Sequence, residues 1–119
     1  MKTITIDGQE YQLTPIIQEK KLVIKRELNF EIHPDELGKM NWNEAIAKVK
    51  ELGDGWRLPT LTELQLIWDS QHKDLFQKEW YWSSSEFDSY FAWGFTFYNG
   101  STGNGDKGSS DYVRAVRAF

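Results

Sequence analysis

Ser83-Ser84-Ser85 is the longest run of hydroxyl side chains, and the chain offers two histidines to activate it, His33 and His72. A serine nucleophile needs a base within hydrogen-bond reach and an oxyanion hole. His33 stands beside a Pro-Asp turn, His72 falls near an expected helix end, and there is no Gly-x-Ser-x-Gly elbow. The serines therefore read as partners for backbone groups at a crowded strand end. Two histidines without cysteine or a His-x-x-x-His pair make a poor zinc set. Gly103-Asn104-Gly105-Asp106-Lys107-Gly108 spells the dinucleotide fingerprint, but that motif needs a strand before it and a helix after it. Only eleven residues follow, and they read as a strand. As a glycine–aspartate calcium repeat, the same segment lacks neighbouring copies. Glu44 and Glu63 read as helix caps. Arg57, Arg114 and Arg117, flanked by Trp, Leu and Val, read as arginines that pair with carboxylates or carbonyls inside a fold. No catalytic residue, metal ligand or cofactor is assigned, and the expectation is a protein that is not an enzyme.

Composition sets the frame. At 119 residues the chain is expected to be a single domain, long enough to bury a core without staples. Six Trp, five Tyr and seven Phe are a heavy aromatic load. With no cysteine, disulfides and thiolate metal sites are excluded. A net charge of −4 speaks against nucleic acid as a partner, and no run is long enough for membrane insertion. The first residues lack the apolar core of a signal peptide, so a cytoplasmic product is expected, one that travels on a partner or in a phage particle if it leaves the cell.

Periodicity then places the elements. Residues 3–13 read as a hairpin about Asp7-Gly8. Residues 22–32 read as extended, with Leu28, Phe30 and Ile32 on one face. Asn41 and Glu44 form a capping-box pattern ahead of a helix whose apolar face is Trp42, Ala45, Ile46, Val49 and Leu52, and Gly53 suits its end. Thr60 and Glu63 repeat the pattern for a second helix over Leu61, Leu64, Ile67 and Trp68, ending by about Ser70–His72. Trp80–Ser84 reads as a strand. Ala92–Tyr98 alternates, with Trp93, Phe95 and Phe97 inward and Gly94, Thr96 and Tyr98 outward. Residues 99–110 read as loop, and Tyr112–Phe119 as one last strand, central or buried on both faces. The tryptophans Trp42, Trp56, Trp68, Trp82 and Trp93 read as core. Tyr90, Phe91 and Tyr98, set among small polar residues, have the composition of adaptable binding loops.

Trp42-x-x-Ala45, Gly55-Trp56-Arg57-Leu58-Pro59-Thr60-x-x-Glu63-Leu64, Tyr81-Trp82-Ser83-Ser84, Ala92-Trp93, Phe97, Gly100 and Val113-Arg114-x-Val116-Arg117 together resemble the DUF1566 family, also called the Lcl C-terminal domain family. The resemblance covers residues 40–119, with 1–39 as an N-terminal β extension. It implies a C-type lectin-like fold of class α+β, with two helices packed on a twisted antiparallel sheet and a loop region presenting a binding surface. Many members carry cysteines where this chain has Val49 and Ala115, so the resemblance implies an apolar contact between these two, and it favours intracellular assembly. The calcium-holding words of sugar-binding relatives are missing, as are the cysteines of the formylglycine-generating enzymes. The ending Tyr112-Val113-Arg114-Ala115-Val116-Arg117-Ala118-Phe119 is also similar to variable proteins of diversity-generating retroelements. There, adenines of the template are randomised, and an Asn codon cannot become Lys, Glu, Gln, Met or Trp. Between Phe87 and Tyr112 only Trp93 and Lys107 belong to that set. Loops rich in Ser, Gly, Asn and Asp share this bias without diversification.

The reading is a non-catalytic ligand-binding module that contacts a protein or surface polymer. The expected contact residues are Asp88, Ser89, Tyr90, Phe91, Gly94, Thr96, Tyr98, Asn99, Ser101, Thr102, Asn104, Asp106, Ser109, Ser110 and Asp111. The alternative is a structural or assembly protein of a phage or mobile element, in which the same surface makes a fixed contact within an oligomer.

Overall fold

A computed structural model describes residues 3–6, 9–12 and 28–119. The order is β1 (Thr3–Ile6), β2 (Gln9–Gln12), β3 (Phe30–Ile32), β4 (Gly38–Met40), α1 (Trp42–Glu51), α2 (Leu61–Trp68), a 3₁₀ turn (Lys73–Leu75), β5 (Trp80–Glu86), β6 (Phe91–Thr96), β7 (Ser101–Asp106), β8 (Asp111–Val113) and β9 (Val116–Ala118). The class is α+β. β1 and β2 pair antiparallel as a separate ribbon, as the Asp7-Gly8 signal predicts; Asp7 and Gly8 themselves lie outside the described residues, as do 13–27. Of the extended piece expected over 22–32, residues 22–27 lie outside the described residues; within 28–32, Phe30 is buried with Leu28 and Ile32 packed beside it.

Five strands form the main sheet in the order β4-β8-β5-β6-β7, while β3 pairs with β9. The sheet is mixed: β8 runs parallel to β5, and the other pairings are antiparallel. Alternation along β5 sends Tyr81 and Trp82 to opposite faces, and each face receives one helix. Trp82, Ala92 and Val113 pack with Trp42, Ala45 and Val49 of α1. Tyr81, Phe95 and Phe97 pack with Leu64 and Ile67 of α2. Val49 and Ala115 share the first cluster, as the substitution of both family cysteines implies.

α1 and α2 begin as their capping boxes predict. Asn41 accepts from Glu44 N–H while Glu44 accepts from Asn41 N–H, and Thr60 with Glu63 does the same. Gly53 follows α1 at φ +69°, the left-handed position that a Cβ would strain.

Two expectations are corrected. Residues 99–110 are not all loop, because β7 pairs with β6 over six residues without a bulge. Its Ser, Thr, Gly and Asn side chains hide the alternation on which a strand assignment rests. The C-terminal stretch is two strands, not one, broken at Arg114-Ala115. Buried Arg114 donates to the carbonyls of His33 (3.0 Å), Pro34 (2.7 Å) and Leu75 (2.8 Å), which turns the chain out of the main sheet. β8 is central all the same, between β4 and β5.

Candidate binding surface

The expected contact residues that sit in turns fall into two groups at opposite ends of β6, with Gly94, Thr96, Ser101, Thr102 and Asn104 along β6 and β7 between them. β6 spans about 17 Å at the usual rise per residue. Beyond its start lies the β5–β6 turn. Phe87 and Asp88 N–H both donate to Phe91 O, at 2.9 and 3.1 Å, and Asp88 Oδ1 accepts from Tyr90 and Phe91 N–H at 2.8 Å. The β7–β8 turn abuts it, since Lys107 N–H donates to Tyr90 O at 2.9 Å. Beyond the end of β6 lies the four-residue turn 97–100, closed by Gly100 N–H on Thr96 O at 2.9 Å with Gly100 at φ +79°. Tyr90 is therefore brought together with Asp88, Ser89, Phe91, Asp106, Ser109 and Ser110. Tyr98 and Asn99 are not part of that group.

Accessibility sorts them further. Tyr90 and Tyr98 are 74% and 72% exposed. Asp88, Ser89, Asn99, Ser101, Thr102, Asn104, Asp106, Ser109 and Ser110 are exposed, and Phe91 and Asp111 half-buried. Gly94 and Thr96, expected to face outward, are buried. Trp80 lies across this part of the sheet: a Cβ on Gly94 or Gly103 would come 3.5 and 3.1 Å from its ring. Thr96 turns its hydroxyl to Tyr98 N–H at 3.1 Å.

An aromatic cluster sits on the Tyr90 end. The Phe87 ring meets Trp93 edge-on at 5.5 Å and Phe91 at 6.5 Å between centroids, and Phe87 is 53% exposed. Phe87 escaped sequence reasoning because it precedes a turn outside the β6 alternation. Trp93, expected in the core, is only half-buried, because α2 covers Phe95 and Phe97 but stops short of it. Trp56 and Trp68 are half-buried as well, Trp56 between the His33 ring and the Arg117 guanidinium.

Lys107 fixes the two turns to each other. Its ammonium donates to Glu86 (2.6 Å) and Ser89 O (3.2 Å) and lies 4.6 Å from the centroid of the Trp42 ring. Its side chain is nearly buried. Exposed carboxylates remain on the rim at Glu86, Asp88 and Asp106. Asp111 is pushed above the ordinary Asp range by burial, against the pull of Lys39.

The residues weighed for catalysis are engaged otherwise. Ser83 Oγ donates to Trp93 O (2.6 Å) and accepts from Ser85 N–H, and Ser85 Oγ accepts from Leu61 N–H. Arg57 grips Glu63 with two bonds of 2.7 Å, and Arg117 pairs with Glu31 at 2.7 Å. Burial tends to raise the Glu63 pKa, but the bonds from Arg57 and Thr60 outweigh it, and the carboxyl titrates below its ordinary range. The glycine motif 103–108 is strand followed by turn, without the helix that a dinucleotide needs. Among the described residues no group of three His, Cys, Asp or Glu could hold a metal ion, and no helix is long and apolar enough to cross a membrane.

No curated protein matches the chain. Residues 18–117 match the Lcl C-terminal domain family, a longer stretch than the 40–119 read from motifs, reaching back over most of the stretch assigned to an N-terminal extension. The chain belongs to the Lcl C-terminal domain family.

Proposed function

We propose that the chain is a non-catalytic binding module whose contact surface is centred on Phe87, Tyr90, Phe91 and Trp93, with Asp88, Ser89, Asn104, Asp106, Ser109 and Ser110 as its polar rim. The observation that carries this reading is the exposed aromatic cluster clamped between two turns. Exposed rings surrounded by polar residues are the anatomy of recognition surfaces, and a rigid support lowers the entropy lost on binding. The partner is a protein or surface polymer, and the fold is the C-type lectin-like one that the family resemblance implies.

We also propose that residues 87–112 are diversified by a retroelement, in a receptor-binding protein of phage or bacterial origin. Supporting this, the two residues that diversification of Asn codons cannot produce brace the surface: Trp93 meets Phe87 edge-on, and Lys107 ties the two turns together. A near-copy of the 87–119 coding region, differing at adenines and lying beside a reverse transcriptase gene, is the expected genomic finding. A neighbourhood without either retires the diversification claim alone.

Binding to arrays of bacterial surface polysaccharides and surface proteins tests the module itself. Phe87→Ala and Tyr90→Ala should each weaken capture tenfold or more and leave the melting temperature nearly unchanged. Tyr98→Ala, at the far end of β6, should bind as the parent does. Equal binding by all three variants would refute the assignment.

A further inference from the structure

Among the described residues the main sheet has two edges, β4 and β7, and they differ. β4 is three residues long with Lys39 exposed at its middle, a device that discourages further pairing. β7 is twice as long, contains neither Lys nor Pro, and pairs with β6 without a bulge. Among the described residues β7 has no second neighbour. The parity of its hydrogen bonds follows from Lys107 N–H on Tyr90 O. Tyr90 and Lys107 thus stand at a bonded position of which one bond is made, Tyr90 N–H going instead to Asp88 Oδ1, and in an antiparallel ladder bonded positions recur every second residue. Gly103 and Gly105 therefore spend their main-chain groups on β6, while Ser101 N–H donates to Asn99 Oδ1 at 3.1 Å. Thr102 and Asn104 turn N–H and C=O outward, and Asp106 turns its N–H outward, its carbonyl being taken by Ser109 N–H at 2.9 Å.

We propose that the β7 edge accepts an extended, Lys- or Arg-bearing segment of a partner protein as a sixth strand, with main-chain bonds to Thr102 and Asn104. The proposal rests on the binding reading above and names its partner class. Strand addition draws affinity from main-chain bonds and specificity from alternate side chains. Asn104 and Asp106 share a sheet face with the half-buried Trp93 and Phe91, so alternate side chains of the incoming strand continue the aromatic surface. The charge is set by the carboxylates of Glu86, Asp88 and Asp106 at one end of that strip. The cation among them, Lys107, is already engaged with Glu86. A basic segment gains from this potential, and an acidic one is repelled.

The probe is an eight-residue peptide alternating Val and Lys, set against its N-methylated form and a Val/Glu form. Amide exchange of the intact chain should show Thr102 and Asn104 unprotected when free, and slowed tenfold or more with saturating Val/Lys peptide. The N-methylated and Val/Glu peptides should bind at least tenfold more weakly. Asn104→Pro removes an N–H that serves no bond to β6 and should abolish Val/Lys binding without unfolding the chain. Protection of both amides in the free chain, or peptide binding that leaves them unprotected, would overturn the proposal. So would a dimer lost in Asn104→Pro, which assigns the edge to a second copy. Partner capture that needs Phe87 but survives Asn104→Pro overturns strand addition while sparing the aromatic surface. Capture that needs neither residue sinks both.

Discussion

Asp111 carries its charge at a cost. Its carboxyl is raised above the ordinary Asp range, so ionisation is harder in the folded chain than in the unfolded one. That penalty is absent below about pH 4, where both states are protonated, and complete above the raised value. Asp111→Asn should therefore raise the melting temperature at pH 7, and the gain should vanish in a titration towards pH 3. Glu63 has the opposite sign: its stabilisation is present above the ordinary Glu range and lost as pH falls through its lowered value. Glu63→Gln should flatten the acid limb of the stability curve. Arg114 is a third kind of residue, a buried guanidinium whose partners are three carbonyls. Lysine cannot reproduce that fork, and Arg114→Lys should cost about 2–4 kcal/mol in urea unfolding, since hydrogen bonds to charged groups are worth about 1.5–3 kcal/mol each and few survive the change.

Turns decide which elements meet. Gly100 closes the β6–β7 turn at φ +79°, and a Cβ there would fall 2.7 Å from the Trp68 ring. Gly100→Ala combines left-handed strain with overpacking, and should cost about 2–4 kcal/mol and disturb the Trp68 contacts with Phe95 and Phe97. The helices were legible because Asn41/Glu44 and Thr60/Glu63 announce themselves through local bonds, and their apolar faces repeat at helical spacing. β7 was not, because its alternation is written in small residues. The Asn99-Gly100 pair was a hairpin signal that the Ser/Gly richness around it obscured. The break at Arg114 was hidden for a different reason. It depends on carbonyls 39 to 81 residues away, and no local pattern reports them. The candidate surface was half legible: Tyr90 and Phe91 stood out by composition, whereas the exposure of Trp93 depends on where α2 ends.

At the scale of the molecule, the α+β class followed from the order of two capped helices and several alternating runs. The strand order did not, since sequence position gives no hint that residues 111–113 lie between β4 and β5. This arrangement makes Asp111–Val113 and Val116–Ala118 the joints of the fold. β8 links β4 to β5, β9 holds β3, and Val116 bridges Arg57 with N–H···O bonds of 2.9 Å in both directions. Removing residues 111–119 should abolish cooperative unfolding altogether, measured as the loss of a sigmoidal denaturation curve. The placement of β8 also has a consequence for synthesis. On the ribosome β4, α1, α2 and β5–β7 emerge before the strand that joins them. The half-made sheet must wait with the inner sides of β4 and β5 unpaired until β8 slides between them.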